Sequence, residues 1–331
     1  MKKIAVVILN WNGEKLLREF LPSIIKFSDE ATVYVADNAS TDTSIEVILK
    51  EFPLVKIIQN KENFGFAKGY NEALTFVEEP YYALVNSDIE VTKNWLQPIL
   101  STFENDRNVA IMQPKILAFN NKESFEYAGA AGGFIDKYGY PFCRGRVFES
   151  IEKDKGQYDE TTEIFWASGA CFFIRKEVFK KLNGFDAAFF AHQEEIDLCW
   201  RAFNLGYKII YKHECLVFHV GGATLNASNP KKTFLNFRNS LYMLLKNLPK
   251  NKLLLIFTIR LILDGVAAIQ FLVTGNYKHT FAVLKAHFYF YFYFFRFYKK
   301  RAKIQKQNYF KTNSIIYSYY IANKKSFTEL F

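Results

Sequence analysis

Two apolar, β-rich runs in this chain each end in a short acidic turn. Residues 32–36 (Thr-Val-Tyr-Val-Ala) lead into Asp37, Asn38, Ala39, Ser40, Thr41 and Asp42, and residues 81–85 (Tyr-Tyr-Ala-Leu-Val) lead into Asn86, Ser87 and Asp88. Short apolar runs bounded by turn formers read as buried strands. Residues 4–9 and 54–58 have the same character. Between these runs lie helical patterns over 13–27, 43–51, 66–77 and 93–104. The first carries Leu16, Leu17, Phe20, Leu21 and Ile24 on one face, and the second is entered through Asp42 as a cap. This alternation constrains the fold more than any other feature. It implies an α/β architecture with a mostly parallel central sheet and right-handed crossovers. Ligands of such sheets sit outside the carboxyl ends of the strands, so Asp37 and Asp88 are expected to face one crevice. A carboxylate there can bind a base or ribose, or hold a divalent cation on a diphosphate. The pattern points to a nucleotide-handling enzyme.

Further along, residues 119–163 are richer in glycine and charge and read as an insertion of loops and short strands. Residues 165–174 look like another buried strand, 193–204 a helix ended by Gly206, and 207–211 a strand leading toward Val217, Phe218 and His219. From about 230 the pattern changes to long apolar helices. The expected division is therefore a catalytic domain over 1–230 and a helical region over 231–331, with a front half able to fold by itself. The charge divides at the same place. Residues 1–230 hold 25 Lys+Arg and 31 Asp+Glu, whereas 231–331 hold 18 Lys+Arg and only Asp264 and Glu329. The back half thus has a net charge of +16 within a chain of net +10. The four cysteines are far apart, with no C-x-x-C pair, which suits free thiols in a reducing compartment rather than a disulfide frame or zinc site. Lys2 and Lys3 precede an apolar run too short for the core of a signal peptide, so a first strand is expected there.

Several clusters can carry chemistry. Asn86-Ser87-Asp88 is a D-x-D-like turn after a strand, suited to Mg²⁺ or Mn²⁺ on a nucleoside diphosphate; the same residue types also suit a plain turn. In the helix start around Glu194, Glu195, Asp197 and Arg201, one carboxylate can act as a general base, while Asp197 and Arg201, four apart, can pair. Glu195 and Asp197 point in different directions, so only one is expected to reach the crevice. His219, followed by Gly221 and Gly222, can complete a metal site or touch a phosphate. Asn63 through Asn71 form a glycine-containing turn that opens a helix, where a ligand can approach the backbone or where the chain simply turns.

Taken in order, these stretches carry a resemblance. The chain resembles the family 2 glycosyltransferases of the GT-A fold, close to the bacterial rhamnosyltransferase-like group. The matching stretches are 6–13, 35–42, 63–71, 86–88, Ser168-Gly169-Ala170 with Arg175, Gly184-Phe185-Asp186, 194–201, and His219 with Gly221-Gly222. The resemblance covers roughly residues 4–240. It implies that Asp37 binds the base of a nucleotide sugar, with Asn10, Asn12, Asn38, Asn63, Gly65 and Asn86 in the donor site. It makes Asp88 a ligand of a divalent metal (Mg²⁺ or Mn²⁺) and His219 a second ligand. Trp166, Ser168, Gly169 and Glu194 would line the sugar or acceptor pocket, with a core role equally open to Trp166. The family's usual Glu-Asp pair at the base position is here Glu194-Glu195, which assigns the base to Glu195 with one extra methylene. The implied reaction is a single inverting displacement onto a hydroxyl of a lipid-linked or cell-surface glycan precursor. Two other readings share parts of the pattern. A nucleotidyltransferase would need a basic phosphate loop near the first strand, and Asn10-Trp11-Asn12-Gly13 has no Lys or Arg. A non-catalytic sugar-nucleotide-binding module at the membrane would not need Asp37, Asp88, Glu195 and His219 together.

In the back half, 251–273 has the length of a membrane span, but Arg260 and Asp264 near its middle count against lipid exposure. Ten of the eleven residues from Phe288 to Tyr298 are aromatic, and Lys299, Lys300, Arg301, Lys303 and Lys306 follow. Rings beside lysines suit the headgroup zone of an anionic leaflet. A protein peripheral to the cytoplasmic face of the cell membrane is expected. The alternative is a hairpin packed on the catalytic domain or on a second subunit of a homodimer. The rings are contiguous rather than spaced along a groove and the front half is acidic, so a nucleic-acid partner is not expected.

Overall fold

The computed structural model describes residues 2–221 and 229–331. The front half begins with strands β1 (Ile4–Asn10), β2 (Ala31–Asp37), β3 (Lys56–Gln59) and β4 (Tyr81–Asn86), separated by helices α1 (Glu14–Lys26), α2 (Ser44–Glu51) and α3 (Gly65–Ala73). β1 pairs in parallel with both β2 and β4, and β2 with β3. α1 buries Leu17, Phe20, Leu21 and Ile24, the face its periodicity predicts. At α2, Asp42 accepts the backbone N–H and hydroxyl of Ser44, so it caps the first turn. β3 starts two residues later than its apolar run: Leu54 is 82% exposed, and Val55 and Ile58 are the residues of the run that are buried in the core.

β5 (Ile89–Val91), α4 (Gln97–Asn105), β6 (Val109–Ala118) and β7 (Asn121–Phe125) follow. The charged insertion then forms a separate four-stranded sheet from β8 (Gly133–Ile135), β9 (Pro141–Cys143), β10 (Arg146–Val147) and β11 (Ser150–Ile151). β12 (Thr162–Glu163), β13 (Cys171–Arg175), α5 (Lys176–Lys181), α6 (Glu194–Asn204) and β14 (Lys208–His219) complete the front. The main sheet runs β12-β14-β6-β13-β4-β1-β2-β3, with β13 antiparallel between β4 and β6 and β14 parallel to β6. The strand predicted over 165–174 is therefore only its second half; Phe165 and Trp166 instead hydrogen-bond the backbone of Gly133 in the insertion. The strand predicted over 207–211 continues through a bulge to His219. Alternate residues of β1 pack on opposite sides: Ala5 and Val7 join one core cluster, Ile4, Val6 and Ile8 the other. A sheet buried on both faces needs continuously apolar strands, which is why β1 and β4 read as unbroken runs.

The back half is α7 (Pro230–Asn247), α8 (Leu253–Val273), α9 (Tyr277–Phe292), α10 (Phe294–Tyr298) and, near the end, α11 (Phe327–Leu330). α7 packs between α6 and α9. Leu241, Leu244, Phe290, Phe297 and Tyr309 lie in the same core cluster as residues of β1, β4 and α6. The tail returns to the insertion, where Ile315 and Tyr319 pack on Phe142 and Val147. The aromatic run is thus partly internal: Phe297 stacks on Tyr242 with ring centroids 3.6 Å apart. Part of the basic cluster is also internal, since Lys300 pairs with Asp186 and Arg301 donates to the carbonyls of Leu245 and Leu248.

Candidate active site

The carboxyl ends of β1, β2 and β4 bring most of the predicted donor residues together. Asn10 and Asp37 are register partners. Asn10 Nδ2 donates to Asp37 Oδ1 (3.0 Å), and the Ser40 hydroxyl and N–H donate to the two oxygens of the same carboxylate (2.6 and 2.9 Å). Asn12, in the left-handed region at φ +52, accepts the Thr41 N–H, while its own N–H donates to Ser40 Oγ. Asn10 Oδ1 is buried with no partner among the described residues. A methyl group on Gly13 would strike that oxygen, and Ser87 Oγ lies near the same point, so Gly13 lets the β1 loop meet the Asn86–Asp88 turn.

The neighbouring turn is built otherwise than its sequence suggests. Asn38 Nδ2 donates to Asn63 Oδ1 and to the Gly65 carbonyl, and Asn38 Oδ1 accepts from Asn60. Asn38 and Asn63 are thus braces that shape the turn. The N–H groups of Phe66 and Ala67, at the start of α3, both point to the Phe190 carbonyl. Gly65, at φ +71, has no room for a side chain against the Phe190 ring. The backbone donors proposed for a ligand are occupied by the protein's own loop.

Asp88 follows β4, and His219 ends β14 opposite Ile89 of β5. The strand pairing sets His219 Nε2 3.1 Å from Asp88 Oδ1, while Nδ1 faces Glu126 Oε1 at 3.2 Å, off the line of a well-formed hydrogen bond. All three side chains are buried. Burial alone would lower the His219 pKa, but the two carboxylates outweigh it and raise it to about 10. Glu126 escaped the sequence reading because it stands in the charged insertion with no motif around it. Asn86 takes its place through its N–H, which donates to the Ala170 carbonyl.

Among the described residues, no three His, Cys, Asp or Glu side chains converge on one point, and the two predicted ligands that meet are Asp88 and His219. The 3.1 Å between Asp88 and His219 fits two adjacent corners of an octahedron with bonds of about 2.1 Å, which lie about 3 Å apart. A hard divalent cation sharing its other positions with diphosphate oxygens and water is compatible with that pair once it displaces the proton that the two carboxylates hold on His219.

On the far side of the crevice, α6 begins with Glu194 and Glu195. Glu195 lies against Gly169, where a side chain would come within 3.8 Å of its Cδ and Cγ. His192 Nε2, Gln193 Oε1, Glu194 Oε2 and Glu195 Oε2 are all buried without a hydrogen-bond partner among the described residues. Buried polar atoms are nearly always satisfied, so four in consecutive residues mark a place built to receive another polar molecule. Burial raises the Glu195 pKa to about 7 and, with repulsion from Glu195, lifts that of Glu194 well above its usual range. Asp197 faces the opposite way. It is fully buried and takes Arg201, Lys246 and Asn247 at 2.8 Å each. That network leaves it no part in the crevice.

Two pocket predictions are corrected. Trp166 is 3% exposed, its indole N–H donates to the Phe134 carbonyl, and its ring lies flush against Gly133, so no face is left for a sugar. Ser168 is 1% exposed, and its hydroxyl accepts the Ala170 N–H; Gly169 is the residue of that trio that borders the crevice. Gly222 lies outside the described residues. The sequence also gave no sign of Arg238 and Asn239 in α7. Asn239 Nδ2 donates to the carbonyls of Phe189, Ala191 and His192 (3.0, 2.9 and 2.8 Å), and Arg238 donates to those of Ala188 and Phe189. They hold a loop in which Phe190, His192 and Gln193 have positive φ, just before the two glutamates.

With this geometry in place, the pattern of glycosyl transferase family 2 is matched over residues 5–183. The chain belongs to that family. It is 21% identical over 235 residues to the N-acetylglucosaminyl-diphospho-decaprenol L-rhamnosyltransferase of Mycobacterium tuberculosis (strain ATCC 25618 / H37Rv), covering 65% of this chain and 75% of that one. It is 23% identical over 215 residues to rhamnosyltransferase WbbL of Escherichia coli (strain K12), covering 63% and 80%. Among solved structures it resembles GalNAc-T7 with UDP, GalNAc and Mn²⁺ (TM-score 0.59, 17% identity, 76% of this chain and 49% of that one). It also resembles mannosyltransferase PcManGT from Pyrobaculum calidifontis with GDP-Man and Mn²⁺ (TM-score 0.53, 14% identity, 86% of each). The fold is GT-A, and the protein is a glycosyltransferase. The chain spans about half the length of the GalNAc-T7 chain it matches.

Proposed function

We propose that this glycosyltransferase is an inverting, metal-dependent enzyme. It moves a hexosyl or rhamnosyl group from a nucleoside-diphosphate donor to a hydroxyl of a lipid-linked or cell-surface glycan precursor, at the cytoplasmic face of the membrane. The observation that carries this reading is the buried, unpartnered Glu195 Oε2 at the start of α6, taken with the Asp88–His219 pair. Relatives named as rhamnosyltransferases, one acting on a decaprenol-linked acceptor, support the substrate class.

In this reading Asp37, held rigid by Asn10 and Ser40, receives the donor's base and ribose edge, and Asn10 Oδ1 accepts a hydrogen bond from it. Asp88 and His219 would hold a divalent cation, which would offset charge on the diphosphate. Glu195 accepts the proton of the acceptor hydroxyl as its oxygen bonds to the anomeric carbon. The bond from that carbon to the diphosphate breaks in the same step, and the leaving group carries off the electron pair. One displacement inverts the anomeric configuration. A pKa of about 7 suits this role, because the group is ionised often enough to act and still basic enough to take the proton.

Donor hydrolysis by purified protein with a panel of nucleotide sugars, with and without Mn²⁺, tests the reading. Glu195→Gln should lower turnover by about 10²-fold or more with donor affinity nearly intact. Asp88→Ala should abolish turnover and the Mn²⁺ dependence of donor binding. A larger loss at Glu194 than at Glu195 would move the base, and metal-dependent turnover in Asp88→Ala would remove Asp88 as a ligand.

A further inference from the structure

α8 holds two charged residues, and both turn inward. Arg260 is 2% exposed and Asp264 0%. Arg260 Nη2 lies 3.3 Å from Asp264 Oδ1, which also accepts the Tyr140 hydroxyl at 3.2 Å. His287 Nε2 of α9 is 3.1 Å from Asp264 Oδ2, and Arg260 donates to the Tyr138 carbonyl. Charge that would keep the helix out of lipid is therefore neutralised against the catalytic domain. The outer face of α8 is free of it. On α8, Ile262, Val266, Ile269 and Val273 are between 57% and 81% exposed. On α9 and α10, Phe281, Leu284, Phe288 and Phe295, spaced as one helix face, are between 57% and 77% exposed. Soluble monomers rarely leave a contiguous apolar face of that kind open to water.

Charge identifies the occupant. The region that carries this face holds 18 Lys+Arg against two acidic residues, and one of those two is the buried Asp264. Lys299 and Lys303 are exposed just beyond α10, and Lys250 just before α8. Apolar and aromatic side chains rimmed by lysines match the boundary between headgroups and acyl chains of an anionic leaflet. The stretch from Lys250 to Val273 has the length and composition to cross a bilayer, yet its inner side is bound to Tyr138 and Tyr140 of the catalytic insertion, so lipid does not encircle it. We infer that the outward face of the α8–α10 hairpin lies in the plane of an anionic membrane surface, seating the enzyme on the bilayer that holds its acceptor. The inference rests on the proposed lipid-linked acceptor. It also makes the exposed hairpin face the main apolar contact, because part of the basic and aromatic cluster is occupied internally.

The test is flotation of the full chain with vesicles of phosphatidylethanolamine alone or mixed with phosphatidylglycerol. Salt is taken from about 0.1 M to about 1 M, where the screening length falls from about 10 to about 3 Å. Anionic vesicles should bind the protein, several-fold more weakly at high salt. The double variants Val266→Ser/Ile269→Ser and Leu284→Ser/Phe288→Ser should each lower the partition coefficient by about tenfold or more. Their melting temperature and their donor hydrolysis in solution should stay at the wild-type level. Unchanged partition in both variants would overturn the inference. So would resistance to alkaline extraction with protease access from both sides, the mark of a span. A dimer by light scattering that these variants abolish, with no vesicle binding, would assign the face to a second copy of the chain. Donor hydrolysis absent in a protein that binds vesicles as described would sink the proposed catalytic function and leave the docking in place.

Discussion

Asn239 offers the sharpest test of how α7 serves the site. Its amide is fully buried and points its two N–H groups at three carbonyls, those of Phe189, Ala191 and His192. Its oxygen accepts from Arg238 at 2.9 and 2.8 Å. Asn239→Asp keeps the shape and the acceptor while removing both donors, and it turns a carboxylate toward the carbonyls. Each lost donor costs about 1 kcal/mol, and a carbonyl left buried without a partner about 1–3 kcal/mol, so a loss of about 2–4 kcal/mol is expected by urea unfolding. The loop has little to resist that loss, because Phe190, His192 and Gln193 all sit at positive φ, each at a cost of roughly 1–2 kcal/mol. The loop should relax and carry Glu195 out of line. kcat should fall at least tenfold while the KM for donor changes little, since the donor site is built from β1, β2 and β4. Gln193→Gly in the same chain removes one left-handed penalty and should restore part of the stability. A variant that melts earlier but keeps its kcat would show that Asn239 supports the fold without positioning the base.

Glu126→Gln should weaken Mn²⁺ binding about tenfold by titration calorimetry in the presence of nucleoside diphosphate, because the carboxylate behind His219 Nδ1 fixes that ring; equal affinity would leave Glu126 no such role. The pH dependence of stability should carry the mark of Glu195. Its folded pKa of about 7 lies above the usual glutamate value, so the folded state holds the proton more tightly and stability falls as pH rises from about 4.5 toward 7. Glu195→Gln should accordingly be more stable than wild type at pH 8, by about 3 kcal/mol, and equal to it near pH 4 in chemical denaturation. A parallel pH profile for the two proteins would contradict that pKa.

The sheet was legible because its strands are buried on both faces and each ends in polar residues placed where a parallel sheet binds ligands. Asp37, Asp88 and His219 follow from that rule, since each stands at a strand end. Residues that act through tertiary neighbours left no such trace. Glu126 reaches His219 from an insertion without periodicity, and Asn239 is one polar residue on a helix whose partners lie about fifty positions earlier. Trp166 stays open in the sequence for a related reason: an aromatic before a small-residue turn reads the same in a sugar platform as in a core, and Gly133, thirty-three positions away, decides between them. Arg260 and Asp264 read as costly in lipid and the structure buries both, but the sequence could not say that they face Tyr138 and Tyr140 and leave the opposite face apolar.

The charge step near residue 230 suggests a front half that stands alone, and the contacts across that step argue otherwise. Truncation after Pro249 would leave α7 in place but strip what covers it. Phe297 stacks on Tyr242, Tyr309 stacks on Trp200 of α6 with centroids 4.9 Å apart, and Ile315 is fully buried and donates its N–H to the buried Asp136. Burying each such side chain contributes about 1.5–3 kcal/mol, so these three alone hold about 5–9 kcal/mol, comparable to the whole stability of an ordinary domain. Lys300 would also be lost from Asp186, which then shares Lys246 with Asp197. The truncated chain is expected to aggregate or to melt at least 15 °C below the full protein, and to bind donor weakly because α6 loses its support. A soluble 1–249 fragment with a sharp melting transition and wild-type donor affinity would refute this. It would show that the back half is an appendage and no part of the catalytic core.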